Sequence, residues 1–142
     1  MTGETDPPTL RVKRDVVAAV IRQAAALTVY AAAEPEPRFT WYNGSTPVTP
    51  TTGLAASAQK HRLDITTKSY SRSEADSLDE DWKTVFCYSS TLTLSHVDVW
   101  DLTEYRVVVE NDYGSNQTSL RLIQASKYKL SYSVSDLILI AQ

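Results

Sequence analysis

The side chains that could do chemistry are few and scattered. The chain holds two histidines, His61 and His96, amid many Ser and Asp residues. A Ser/His/Asp site needs a nucleophile presented on a sharp turn, and no Gly-x-Ser-x-Gly spacing occurs. Carboxylates crowd at Glu74, Asp76, Asp79, Glu80 and Asp81. Hard cations such as Ca²⁺ take several carboxylate oxygens, but the run lacks the Asp-x-Asp-x-Asp-Gly order of a calcium loop. It reads as a solvated insert, with Trp82 at its edge as an anchor. No cofactor is expected, and the chain reads as non-enzymatic. The single cysteine, Cys87, excludes a disulfide within the chain and is read as a small buried hydrophobe. Asn43-Gly-Ser45 and Asn116-Gln-Thr118 fit the N-glycosylation pattern.

The bulk composition narrows the classes further. The 142 residues are 42% hydrophobic and 22% charged, with a net charge of −3. That suits one globular domain with a substantial core. No basic field is present to select nucleic acid or an anionic membrane. The first residues, Met1–Pro8, lack the basic start and apolar run of a signal peptide. Near the other end, Leu137–Ile140 is an apolar run far short of the roughly 20 residues needed to span a bilayer, so no membrane insertion by this chain is expected.

The elements that must position these residues read mostly as strands. Thr9–Val12 follows Pro7-Pro8 as a first strand. Val16–Ala33 is ambiguous. Capped by Asp15, a helix would present Val17, Val20, Ile21, Ala24 and Leu27; a strand would place Ala25, Leu27 and Val29 on one face. The neighbouring Pro35 and Pro37 oppose helix and favour the strand. Phe39 and Trp41 alternate with Thr40 across a pleat, and Asn43-Gly44 signals a turn. Thr46–Ala58 reads as loop and His61–Thr66 as a strand. Leu92 and Leu94 share a face of the strand Ser90–Val97. Tyr105, Val107 and Val109 alternate ahead of an Asn-Asp-Tyr-Gly turn, and Thr118–Ile123 reads as the last regular strand.

One constellation is more specific. Asp101 stands four residues before Tyr105, and an alternating strand and a hairpin turn follow. This resembles the E–F corner, F strand and F–G hairpin of an immunoglobulin domain, most like the I-set type. Pro35–Trp41 resembles the B–C turn and buried Trp of that family, and Leu92–Leu94 its E strand. The resemblance implies an all-β sandwich of two antiparallel sheets with Greek-key connections. It spans residues 8–123, after a linker 1–7, with an acidic loop inserted at about 69–82. Residues 124–142 would be an extension, an extra strand or the start of a further domain.

The resemblance also assigns roles. The family's two disulfide positions correspond to Val29 and Val107, so the bridge would be replaced by a valine pair against Trp41. A disulfide contributes about 2–5 kcal/mol, and two buried valines return roughly 1.5–3 kcal/mol each. Asp101 and Tyr105 would be structural, the Tyr hydroxyl bonding to backbone upstream. Trp100 stands in a place usually polar in that family: tucked under the corner it would be packing, the favoured reading because Trp rarely stays exposed without a partner, and exposed it would be a contact residue. Asn43 and Asn116 would lie at exposed turns. The implied function is a protein-binding module, homophilic contacts included, of a cell-adhesion or cell-surface recognition receptor. An intracellular I-set module of a cytoskeletal or muscle scaffold is the alternative, with a cytoplasmic location.

Overall fold

A computed structural model describes residues 6–50, 63–70 and 87–125. Its strands are β1 Asp6–Arg11, β2 Val16–Ala19, β3 Ala25–Glu34, β4 Arg38–Asn43, β5 Thr46–Pro47, β6 Leu63–Ser69, β7 Tyr88–Leu94, β8 Glu104–Asn111 and β9 Gly114–Gln124. They form two sheets, one in the order β1-β3-β7-β6 and one in the order β2-β9-β8-β4-β5. Every pairing is antiparallel except β2 with β9. This is an all-β, two-sheet sandwich of the immunoglobulin fold.

Alternation places the core. In β3, Leu27, Val29 and Ala31 are buried; in β7, Leu92 and Leu94; in β8, Tyr105, Val107 and Val109; in β9, Leu120 and Leu122. Trp41 from β4 fills the centre of this cluster. Side chains of period two on facing sheets meet in one layer, and that layer is the core.

The ambiguous stretch resolves into two strands, and the physical reason lies at its middle. Arg22 has φ of 75°, a left-handed conformation that interrupts any right-handed helix. The turn around it is stitched to the opposite strand exit. Arg22 N–H donates to Val97 O at 2.8 Å, and Val97 N–H donates to Gln23 O at 2.9 Å. Of the helix stripe, Ala24 is exposed while Leu27 is buried in a sheet. The β1–β3 ladder also slips between Asp6 and Thr9, where the prolines cannot donate ladder bonds.

Some boundaries differ from the sequence expectation. Thr46–Pro47 is a short strand paired with Tyr42–Asn43, not loop. Between them Gly44, at φ 66°, supplies the positive φ that a two-residue hairpin requires. The last strand starts four residues earlier than its alternation suggests, because Gly114 begins the hairpin opposite Asn111. A Cβ at Gly114 would meet Pro7 Cβ at 2.8 Å, so glycine lets the first strand lie close to the hairpin. His61, Trp82 and the carboxylates from Glu74 to Asp81 lie outside the described residues. So does all of the 124–142 extension beyond Ala125.

Candidate functional site

The centre of the sandwich holds Val29, Trp41 and Val107, all inaccessible to solvent. Trp41 is the register partner of Val107 in one sheet. Val29 is the register partner of Ser90 in the other. The Trp41 indole reaches across, and its Nε1–H donates to Ser90 Oγ at 2.9 Å. Ser90 is itself fully buried. A hydrogen bond therefore joins the two sheets beside the two valines. Sequence reasoning missed Ser90. The available signal was a pair of small polar residues, Ser89-Ser90, inside a strand whose next inward positions are leucines.

The corner before β8 is held by several hydrogen bonds. Val99–Asp101 forms one 3₁₀ turn. Asp98 N–H donates to Asp101 Oδ2 at 2.8 Å, and Asp101 N–H donates to Asp98 O at 2.9 Å. Tyr105 Oη–H then donates to the Asp101 carbonyl at 2.8 Å. Asp101 and Tyr105 are both buried. Burial, and after it the nearby Asp101 charge, push the Tyr105 phenol up to about 12, so the hydroxyl stays a donor at any ordinary pH.

On the outside of this turn the expectation fails. Trp100 does not tuck under the corner: it is 74% exposed, and Val99 beside it is 69% exposed. The inward positions are already occupied by Val97, Asp101 and Tyr105, and one 3₁₀ turn has no second inward place for an indole. Val20 and Ile123 are exposed at the same end of the sandwich. That end is tied by Leu122 N–H to Thr103 O at 2.9 Å and by Ala125 N–H to Ala19 O at 2.7 Å. The result is an exposed Val99–Trp100 pair on a hydrogen-bonded backbone.

The outward face of the five-stranded sheet is polar and ordered. Arg106 stacks over the Tyr42 ring at 4.3 Å and donates to Gln117 Oε1 at 3.0 Å. Arg38 pairs with Glu110 at 3.3 Å. Exposed pairs of this kind contribute little stability, but they hold the long side chains in place.

The sequon asparagines differ. Asn43 ends β4 beside the Gly44-Ser45 turn and is exposed. Asn116 lies within β9, opposite Val109, rather than in a turn. Its Nδ2 donates to Pro8 O at 3.4 Å, linking the last strand to the first. Cys87 is exposed rather than buried, because it precedes β7 and so falls outside the inward alternation. Its carbonyl accepts from Tyr70 N–H at 2.7 Å. Next to it, partial burial and then Glu36, Cys87 and Glu34 hold the Tyr88 phenol above its ordinary value. Among the described residues no group of three or more His, Cys, Asp and Glu is placed to hold a metal ion. None of their helices is long and apolar enough to cross a membrane.

No family model matches the sequence, and no curated protein matches it. Solved structures do. One is a chain from the complex of Dpr2 Ig1–Ig2 with DIP-Theta Ig1–Ig3, 21% identical, with a TM-score of 0.63 over 85% of this chain. The titin domain M4 is 14% identical, with a TM-score of 0.59 over 86% of this chain and 99% of its own. The titin tandem A164–A165 is 18% identical, with a TM-score of 0.57 over 84% of this chain. This chain spans 33% of the first of these and 48% of the tandem. At such identities the likeness is one of fold: β1 to β9 form an immunoglobulin-like sandwich in which a Trp–Ser hydrogen bond and two valines occupy the centre.

Proposed function

We propose that this chain is a non-enzymatic I-set module that binds another protein as part of a cell-adhesion or cell-surface recognition receptor. The observation that carries the proposal is the exposed Val99–Trp100 pair on a hydrogen-bonded corner. A Trp costs little conformational entropy to immobilise and buries a large area, which makes it an effective anchor. Here the backbone beneath it is already ordered. The stacked Tyr42–Arg106 face offers a second, more polar contact area. Homophilic contact between copies is included in the proposal. The binding domain would begin with β1 at Asp6, two residues before the expected start at residue 8, and run to residue 123, with an acidic loop inserted at about 69–82 and 124–142 an extension.

The extracellular context draws on Asn43, exposed beside a hairpin turn and available to a glycan. Expression of the full coding sequence in eukaryotic cells with its native upstream DNA tests it. A gel shift on glycosidase treatment, lost in Asn43→Gln, is the expected result. A photo-crosslinker replacing Trp100 should then capture a defined cell-surface protein or a second copy.

An intracellular scaffold module is the second reading, favoured by the bridge-free centre, which needs no oxidising compartment. Soluble cytosolic protein without a glycosidase shift would support it.

A further inference from the structure

β1 accompanies β3 along only half of its length. Their ladder runs from Asp6↔Glu34 to Arg11↔Tyr30. At the same register Lys13 would lie opposite Thr28. Instead the chain leaves the sheet there, and Val16–Ala19 joins β9 in the other one. Among the described residues, Ala25–Val29 therefore have a strand partner on the β7 side alone. Between the departing chain and this edge lies a cavity of about 250 Å³, lined by Lys13, Arg14, Val17, Ala26, Thr28 and Tyr30.

Three properties of this slot point to one kind of occupant. A strand edge presents backbone N–H and C=O groups that template a further strand, and extended peptides dock by this addition. The edge is five residues long, roughly 17 Å at a strand's rise, which suits a short peptide and not a whole sheet. The lining combines the exposed, cationic Arg14 with the small Ala26 and the half-buried Val17. Acidic side chains would complement the cation, and small or branched apolar ones the floor.

We infer that the β3 edge beside Lys13 and Arg14 is a docking slot for a short, extended, acidic peptide segment of a partner protein. It is separate from the Trp100 corner, so either can fail without the other.

The test is titration of the ¹⁵N-labelled full chain with a synthetic Glu-Val-Glu-Val-Glu peptide at low ionic strength. Slowed amide exchange at alternate residues of Ala25–Val29 is the expected result. The Arg14→Glu variant should bind this peptide about fivefold more weakly and should prefer the Lys-Val-Lys-Val-Lys peptide. Trp100→Ala should leave both affinities unchanged. Absence of protection at saturating peptide would overturn the proposal. So would protection of these amides before any peptide is added, which would mean that the chain's own residues fill the edge. Equal perturbation by inorganic phosphate without slowed exchange would reduce the slot to a charge patch, and would overturn it too.

Discussion

Trp41 and Trp100 are the same residue type in opposite situations. Both sit on hydrogen-bonded backbone, one in a central strand and the other in a one-turn corner. Trp41 is wholly buried and its indole N–H is bonded across the sandwich. Trp100 is mostly exposed. Hydrophobicity alone would send both inside. The difference shows that burial depends on which face the backbone offers: the pleat of β4 turns position 41 into the layer between the sheets, whereas the corner turns positions 99 and 100 out.

The comparison is most easily broken at its buried end. Trp41→Ala should destabilise the fold by about 3–5 kcal/mol in denaturant unfolding. A cost near 1 kcal/mol would mean that the centre is less tightly filled than the geometry requires. Joining the two sheets covalently tests the same layer from the other side. Val29 and Val107 lie on strands that touch across the core, so the Val29→Cys/Val107→Cys variant should form a bridge under oxidising conditions. A successful bridge should add about 2–4 kcal/mol. A folded variant that stays reduced would show that these two positions do not face each other.

The corner beneath Trp100 should show an intermediate effect. Tyr105→Phe leaves the buried end of the corner without its hydroxyl donor and should cost about 1–3 kcal/mol. It also has a pH signature. Folding raises the Tyr105 pKa from its ordinary 10 to about 12. The folded state thus holds this proton more tightly than the unfolded chain. The associated stability is complete below pH 10 and is lost as the pH climbs from 10 to 12. Wild type should therefore weaken across that window more steeply than Tyr105→Phe, as followed by chemical denaturation at fixed pH values.

The smallest effect belongs to the exposed end. Trp100→Ala should change stability by no more than about 0.5 kcal/mol while reducing partner binding. A large loss of stability would instead make Trp100 part of the packing and remove the basis for a docking role.

Much of the architecture was legible because alternation is a local code. Leu27, Val29, Leu92, Leu94, Val107 and Val109 occupy inward positions that a period of two assigns without knowledge of the partner strand. Val16–Ala33 was less legible. Its apolar residues satisfy a helical stripe as well as a strand, and the decision rests with Arg22, whose turn is held by Val97 more than 70 residues away. Ser90 was illegible for a related reason. A buried hydroxyl is tolerable only with a partner, and its partner lies on the opposite sheet.

The sequence by itself determined the strand character and the corner motif from Asp101 to Tyr105, because pleat period, turn chemistry and short-range capping act between near neighbours in the chain; the two-sheet layering was expected only through the family resemblance. Tertiary structure alone decided that Ser90 and Trp41 join the sheets, that Trp100 and Cys87 face outward, that Asn116 lies in a strand tied to Pro8, and that β1 abandons β3 at Arg11. Each of these depends on what occupies the space beside a residue, and that space is filled by chain segments distant in sequence.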